Sequence, residues 1–261
     1  RPTGAVYAAI VPEGADRLPE ETRRVSFPGG SLAAANWIHA ARTVFSELAT
    51  ERLDSPGEIE LGDLFNVHRG QVTGMNDIWI AKNETRKLIP ERYLFPTVTD
   101  AKEIIARSNG VLDDASSLKR VIDLPSDLSC LETGERRGVG RFLALAEAVG
   151  ASRTYIARHR RSWWSVRLRE PAPIVMTYMA RRSPRFALNI CGARLVNIAH
   201  GLYPKVHMTR EQLVTLVRWL NDGGASGFGR TYSGGLVKLE PGDAKRIRIP
   251  RLEKVSLELA A

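Results

Sequence analysis

Short apolar runs separated by polar and glycine-rich stretches are the dominant pattern of the chain. Apolar runs of about 4–8 residues that are bounded by turn residues predict β-strands. The predicted strands cover residues 6–11, 24–27, 65–67, 78–81, 119–123, 174–180, 185–190 and 236–239. Two of them, 174–180 and 185–190, flank a short polar stretch and therefore predict a strand pair joined by a hairpin loop.

Other segments carry apolar residues at helical spacing. They predict helices over residues 36–57, 135–149, 209–221 and 241–245, a helical turn at 85–88, and irregular structure at 101–116. The clearest start signal is Thr209, which forms a capping box with Gln212. Gly223 and Gly224 end that helix, and Pro241 suits the first turn of the last one.

Together these elements predict a mixed α/β (α+β) fold, with a small twisted sheet or partial barrel and flanking helices. Residues 1–35 hold two strands but too little chain for a core, so we expect them to be the last strands of a preceding domain. Residues 36–57 are expected to connect it to a second domain at 58–261. The sequence contains no internal repeat, no apolar run of membrane-spanning length and no signal peptide.

The charge of the chain favours a polyanionic partner. The formal net charge is +9 over 261 residues, and the stretch 136–185 contains twelve arginines, no lysine and two glutamates. Arginine suits bidentate contacts with phosphate and guanine and stacks on bases. A basic protein without a specific polyanionic partner remains the alternative on charge alone.

Cysteine and histidine usage indicates neither a disulfide framework nor a metal site. Cys130 and Cys191 are far apart and lack ligand spacing, so we expect buried thiols in a reducing compartment. The five histidines are scattered, and none has a cysteine or carboxylate partner at metal-site spacing.

Two glycine-rich segments, 68–77 and 232–250, have the composition of loops that lie against a phosphate backbone. Glycine permits close approach, small hydroxyls and amides donate hydrogen bonds, and cations neutralise charge. In the first segment, Arg69, Thr73 and Asn76 are candidate DNA contacts, with Asn76 suited to adenine and Arg69 to guanine or phosphate. The alternative is a tight turn in which Asn76 caps its own loop.

Further candidates lie in basic stretches elsewhere in the chain. The basic and aromatic segment 158–167 includes Trp163 and Trp164, which we expect to divide between core and surface if the segment is a strand. The alternative is a solvated basic face over two buried indoles. The remaining candidate DNA contacts are Arg158, Arg160, Arg161, Arg181, Arg182, Lys205, Arg230, Tyr232 and Lys238.

The order of these segments resembles the N6-adenine DNA methyltransferases of restriction-modification systems, and specifically the C-terminal target-recognition half in the gamma-type order. The similarity covers roughly residues 58–250. It is carried by Leu61-Gly62-Asp63, Arg69-Gly70, Thr73-Gly74 and Asn76, by segments 173–179, 185–189, 197–204 and 219–221, and by the closing segment 232–250.

This resemblance implies a two-domain enzyme. A catalytic domain would bind S-adenosylmethionine and methylate N6 of an adenine that is flipped out of the duplex. It also implies that residues 1–35 are the tail of that catalytic domain and a remnant of its sheet, and that residues 58–261 are the DNA target-recognition domain.

The chain departs from the family in lacking the Asn/Asp-Pro-Pro-Tyr/Phe segment, since it contains no Pro-Pro pair. Gly138-Val139-Gly140 follows charged residues, and Gly227-Phe228-Gly229 follows a helix, whereas the cofactor loop follows a buried strand. We therefore expect no cofactor and no catalytic residue in this chain, and S-adenosylmethionine in the missing catalytic domain.

The expected partners are double-stranded DNA and the catalytic domain of the same polypeptide, in a monomeric cytoplasmic protein without membrane contact. One alternative is a stand-alone specificity subunit that recruits separate methylase or nuclease chains. The strand pattern at the N-terminus argues against it, because a free-standing subunit would not begin inside a buried strand. An RNA-binding or generic basic module is a third possibility.

Overall fold

A five-stranded mixed sheet lies at the centre of the computed structural model, which describes residues 58–181, 183–232 and 236–250. These residues belong to a unit that begins at residue 57. The predicted strands at 6–11 and 24–27 and the predicted connecting helix lie outside the described residues.

The regular elements are short and alternate along the chain. The strands are β1 (Glu58–Glu60), β2 (Phe65–Arg69), β3 (Leu94–Val98), β4 (Val111–Leu112), β5 (Lys119–Ile122), β6 (Ile174–Thr177), β7 (Met179–Ala180), β8 (Phe186–Asn189), β9 (Arg194–Leu195), β10 (Ala199–Pro204), β11 (Arg230–Tyr232), β12 (Leu236–Lys238) and β13 (Arg248–Pro250). The α-helices are α1 (Leu61–Leu64), α2 (Asn76–Trp79), α3 (Asn83–Arg86), α4 (Lys102–Ile105), α5 (Thr133–Ala148), α6 (Tyr155–Arg158), α7 (Arg210–Trp219) and α8 (Pro241–Lys245).

The central sheet has the order β2-β10-β6-β8-β4, in which only the β4–β8 pair is parallel. Two three-stranded sheets, β11-β12-β7 and β5-β3-β9, adjoin it, and β1 pairs with β13. None of these sheets closes on itself within the described residues. The predicted mixed α/β class with flanking helices is confirmed, and its sheets are open.

Strand β6 shows why the central sheet is buried on both faces. Successive side chains on a strand point to opposite faces. Ile174 and Met176 pack into a core with helix α7, whereas Val175 packs into another core with Ile104 of α4 and Leu112 of β4. A continuous apolar run is the sequence signature of such two-sided burial.

A third core fills the space between helix α5 and the β5-β3-β9 sheet. Trp79 lies at its centre and is 1% exposed. Its ring meets Phe142 of α5 edge-on at 5.7 Å between centroids. Burying side chains of this size is worth several kcal/mol, so this core anchors α5 to the sheet.

Several predicted elements are confirmed. Strand β6 forms the predicted antiparallel pair with β8, but the predicted strand 174–180 is broken at Tyr178 and its last two residues, β7, pair with β12 in another sheet. Helices α5 and α8 occupy the predicted helical segments. Helix α7 begins at the predicted capping box, since the Gln212 amide is 3.2 Å from Thr209 Oγ1. Gly223, with φ of 113°, follows the end of α7 within a short π-helical turn.

The predicted strand at 78–81 is wrong. Residues 76–79 form helix α2, closed by a 2.8 Å hydrogen bond from the Ile80 amide to the Asn76 carbonyl. Ile80 alone forms a bridge, with Val121 of β5. The alternating isoleucines looked like a strand, but the helical turn is what carries Trp79 into the core.

Two further segments were misjudged. The stretch 101–116, predicted to be irregular, contains α4 and β4. Strand β10 was not predicted, because its sequence includes His200, Gly201 and Pro204, yet it lies between β2 and β6 in the central sheet. Gly201 is required there, since a Cβ atom would stand 2.6 Å from the Cβ of Ala172. In the part of the chain that the structure describes, no helix is both long and apolar enough to cross a bilayer.

Candidate nucleic-acid interface

Residues 70–75, hereafter the glycine loop, leave the end of β2 and run against the chain that leads into β10. The Gly70 amide donates to the Ala199 carbonyl at 2.9 Å. A Cβ atom on Gly70 would stand 2.1 Å from the Val196 carbonyl oxygen, so only glycine lets the two backbones approach this closely. Gly74 has φ of 90°, a left-handed conformation that glycine adopts freely. These two glycines determine the path of the loop.

Thr73 and Asn76 stabilise the glycine loop from within. Thr73 is 1% exposed; its Oγ1 donates to Asn76 Oδ1 at 2.5 Å and accepts from the Met75 amide at 3.2 Å. This is the local cap weighed as an alternative for Asn76. The burial of Thr73 does not agree with its prediction as a DNA contact, whereas Asn76 is exposed beside the loop.

Arg160 joins the basic segment, residues 158–167, to the glycine loop. Its Nη2 donates to the Val72 carbonyl at 2.6 Å and to the Thr73 carbonyl at 3.2 Å. Burial lowers the pKa of this partly buried guanidinium. Arg160 and Val72 are 88 residues apart in the sequence. Their contact therefore joins two candidate regions, which were predicted separately, into one surface.

Exposed cationic and aromatic side chains stand beside this junction. Arg158 and Arg161 are exposed, which suits the predicted role of contacting phosphate. Tyr155, which was not predicted as a site residue, is 68% exposed and lies 4.2 Å from the His159 ring, centroid to centroid. Tyr155 begins the short helix α6, which Thr154 caps. This capping threonine is the sequence signal that could have identified the helix and its exposed tyrosine.

Both tryptophans of the basic segment are partly buried and pack against the core around Trp79, so the expected division between core and surface is wrong. The segment is not a strand. Trp163 meets Trp79 at 6.2 Å and Trp164 at 5.9 Å, both edge-on. Trp164 Nε1 donates to the Pro125 carbonyl at 3.0 Å. The two indoles hold the segment in place, and its arginines remain at or near the surface.

Four side chains, Arg69, Tyr178, Lys238 and Glu240, meet at the other end of the glycine loop and are named the Glu240 cluster. Arg69 Nη2 donates to Tyr178 Oη at 2.9 Å and to Glu240 Oε2 at 3.0 Å. Lys238 Nζ lies 2.7 Å from Glu240 Oε1, and Tyr178 Oη donates to that oxygen at 3.1 Å. The hydrogen bond from Lys238 above all, then the one from Tyr178 and the charge of Arg69, depress the pKa of Glu240 below its usual value.

The β11-β12-β7 sheet carries the remaining candidates of this region. Arg230 and Tyr232 of β11 are exposed, and the Lys238 ammonium lies 6.0 Å from the centroid of the Tyr232 ring. Arg181 follows β7 and is exposed. Arg182 lies outside the described residues.

Lys205 is separated from these groups. It follows β10, whose last residue, Pro204, pairs with Phe65 at the start of β2, whereas Arg69 is at the opposite end of that strand. Lys205 Nζ donates to the Gly62 carbonyl at 2.5 Å. The structure therefore brings Lys205 together with helix α1 and not with the other candidate residues.

His200 lies directly beneath the Glu240 cluster. It is 0% exposed and packs against the Tyr178 ring at 4.9 Å between centroids. Its Nε2 is 3.0 Å from the Leu239 carbonyl oxygen, while its Nδ1 is buried without a hydrogen-bond partner. Burial lowers the pKa of His200 below its usual 6.5, so the neutral ring is the form that fits the fold.

The free energy of unfolding should accordingly depend on pH through His200. The unfolded chain binds a proton near pH 6.5 but the folded chain does so only at lower pH. The stability that the neutral His200 ring contributes is therefore fully present above the unfolded pKa. It is lost as the pH falls from that value towards the lower pKa of the folded chain. Urea unfolding between about pH 7.5 and 5.5 measures this loss in the free energy of unfolding. His200→Gln, which retains a donor for Leu239, should flatten the dependence; an unchanged slope would contradict this account.

Thiols and metal-ligating groups form no reactive centre in the described residues. Cys130 is exposed, contrary to the predicted burial, and Cys191 is only partly buried. Cys130 ends a surface 3-10 turn, where its thiol donates to the Asp127 carbonyl. No group of three or more His, Cys, Asp or Glu residues among those described is placed to hold a metal ion.

An open mixed sheet with a glycine loop, exposed arginines and an exposed tyrosine on neighbouring segments is the architecture of a basic mixed α/β domain. The chain matches the family of the C-terminal domain of type II methyltransferase M.Eco57I over residues 36–260, and it belongs to that family. The resemblance drawn from its sequence motifs is thereby confirmed.

Relatives with known names agree with this assignment. The chain is 53% identical over 235 residues to type II methyltransferase M.XamI of Xanthomonas campestris pv. amaranthicola, covering 90% of this chain and 43% of that protein. It is 25% identical over 187 residues to type II methyltransferase M.AccI of Acinetobacter calcoaceticus, covering 69% and 34%. The chain thus spans less than half the length of both relatives.

The fold also has a counterpart among solved structures. The type IIG restriction endonuclease BpuSI superposes with a TM-score of 0.52 at 16% sequence identity, over 86% of this chain and 29% of that one. At this level of identity the match concerns the fold alone.

Proposed function

We propose that this chain recognises a specific sequence in duplex DNA for a methyltransferase that modifies adenine N6 in a restriction-modification system. Membership of the methyltransferase C-terminal family supports the proposal. The structural observation that carries it is the junction at Arg160, where a glycine loop and an arginine-rich segment form one surface. Such a surface combines close backbone approach with cations for phosphate.

Phosphate contacts and base contacts would be divided among the exposed side chains. Arg158 and Arg161 are exposed and lie within two residues of Arg160, which contacts the glycine loop. They would fix the position of the duplex through its phosphates. Asn76 is exposed at the end of the loop, and its amide is suited to the paired hydrogen bonds of adenine. Tyr155 offers an apolar face next to these arginines.

The methyl-transfer chemistry would belong to a catalytic domain of the same polypeptide. Neither glycine pair weighed as a cofactor loop follows a buried strand in the described residues, as such a loop would. Gly138 and Gly140 lie inside helix α5, where a Cβ atom on Gly138 would stand 2.5 Å from the Leu88 carbonyl oxygen. Gly227 and Gly229 come before a strand and not after one. A catalytic domain would receive the flipped adenine while this domain holds the duplex.

The proposal is tested by selecting duplexes that bind the chain from a randomised library and comparing the selected duplex with a scrambled one. We expect the selected duplex to bind about 10³-fold or more tightly at physiological salt. Affinity for both duplexes should fall steeply with salt, because phosphate contacts contribute to both. Equal affinity for the two duplexes at every salt concentration would contradict sequence recognition.

A further inference from the structure

The carboxylate of Glu240 is surrounded by three donors from three different elements. Arg69 ends β2, Tyr178 lies between β6 and β7, and Lys238 ends β12. The three contacts to the carboxylate are 3.0, 3.1 and 2.7 Å long. Because these elements converge from distant parts of the sequence, the arrangement belongs to the tertiary fold and not to one flexible loop.

The donor set around Glu240 is suited to a phosphodiester. A backbone phosphate offers two charged oxygens and is bound by arginine, lysine and hydroxyl donors. Arg69 and Lys238 both lie against the Tyr178 ring, at 4.8 and 5.1 Å from its centroid, which limits the positions they can take. The carboxylate therefore fills a position that has the chemistry of a phosphate site.

The cluster is open to solvent. The side chains of Arg69, Glu240 and Lys238 are 41%, 30% and 22% exposed. Ion pairs with this exposure contribute little to stability, so a second anion can replace one at small cost. Arg69 also leads directly into Gly70, so an anion bound here would lie at the start of the glycine loop.

We propose that Arg69, Tyr178 and Lys238 form a binding site for a DNA backbone phosphate, which Glu240 occupies in the free protein. This site rests on the proposed function and adds how the affinity of the chain for DNA is controlled. The phosphate takes the place of the carboxylate, so binding exchanges one set of charge-assisted hydrogen bonds for another. Glu240 thereby limits sequence-independent affinity, because phosphates are present in every duplex.

The opposite role for Glu240 predicts the opposite result. A carboxylate that only orients Arg69 toward the DNA would be needed for binding, and its removal would weaken the complex. A carboxylate that competes with phosphate would strengthen the complex when it is neutralised. The direction of the change in affinity therefore distinguishes the two roles.

The experiment measures duplex binding by the chain with Glu240→Gln, which keeps the size and the acceptor for Tyr178 but removes the charge. We expect binding to a scrambled duplex to tighten by about three- to tenfold, from release of two exposed ion pairs. The preference for the selected duplex should stay the same, because the gain applies equally to every sequence. Adding Arg69→Gln should abolish the gain.

Glu91→Gln is the matched control, because Glu91 also pairs with an exposed arginine, Arg86, at 3.2 Å. It changes net charge equally and should leave both affinities within about twofold. Lys238→Gln in the unaltered background is a second test that does not depend on the folding of the Glu240 variant. It should weaken binding to the scrambled duplex and reduce the salt slope by about 0.9.

Unchanged or weaker binding by Glu240→Gln, or an unchanged salt slope for Lys238→Gln, would overturn the phosphate site. Either result would leave sequence recognition intact if the unaltered chain still prefers its selected duplex. In the converse outcome, the unaltered chain shows no sequence preference but the Glu240→Gln variant binds any duplex more tightly. That outcome would overturn the proposed function and support the phosphate site.

Discussion

Gly70→Ala should destabilise the domain by about 3 kcal/mol or more, the largest effect expected from any single methyl group added here. The new Cβ atom would lie 2.1 and 2.6 Å from the Val196 carbonyl oxygen and carbon and 3.0 Å from the Ala199 carbonyl oxygen. These are backbone atoms at the edge of the central sheet and cannot move aside as a side-chain tip can. Urea unfolding measures the loss, and DNA affinity should fall with it because the glycine loop is displaced.

Gly140→Ala provides the matched control for Gly70. Gly140 lies in the interior of helix α5, where a Cβ atom would meet nothing within 4 Å. The same substitution should therefore stabilise the domain by about 0.5–1 kcal/mol, since alanine favours the helix. If the two variants unfolded at the same urea concentration, the close approach at Gly70 would have no energetic importance.

Arg160→Met should have the second largest effect, a loss of about 2 kcal/mol in the free energy of unfolding. The substitution keeps an unbranched chain but leaves the Val72 and Thr73 carbonyls without their donor. The glycine loop would then be less ordered, so duplex affinity should fall more than one phosphate contact accounts for. Unfolding and salt-dependent binding are measured on the same preparation.

Arg161→Met is the control for Arg160, because Arg161 is its exposed neighbour in the basic segment. Its stability should remain within about 0.5 kcal/mol of the unaltered chain. Its salt slope for duplex binding should fall by about 0.9, the value for one phosphate contact. Equal stability of the Arg160 and Arg161 variants would show that Arg160 does not hold the loop.

The elements predicted correctly from the sequence are those with local signals. The capping box at Thr209 placed the start of α7, and the apolar runs that became β6 and β8 paired as expected. Helix α2 was missed because its N-cap residue, Met75, makes no side-chain cap hydrogen bond, and because the loop before it is closed by the Thr73–Asn76 hydrogen bond. Strand β10 was missed because its place in the sheet comes from its two neighbours and not from its own residues.

The candidate site shows the same limit. Composition identified Arg69 and Arg160, but their partners lie 171 and 88 residues away in the sequence. No periodicity or motif links Arg69 to Glu240. Glu240 was not predicted as a site residue, because in the sequence it is only the residue before Pro241, where a helix begins. Contacts of this kind arise only when the sheets assemble, so the residue types could be predicted and their connections could not.

The pairing of β1 with β13 has a consequence for how such a domain can be exchanged between proteins. Glu58 stands opposite Pro250, so the chain enters and leaves the sheets at one point. Whatever precedes residue 58 and follows residue 250 is joined through two adjacent strands, the arrangement of chain ends in which domain insertion is tolerated. Under the proposed function, replacing residues 58–250 as one contiguous segment would give the enzyme a different DNA target.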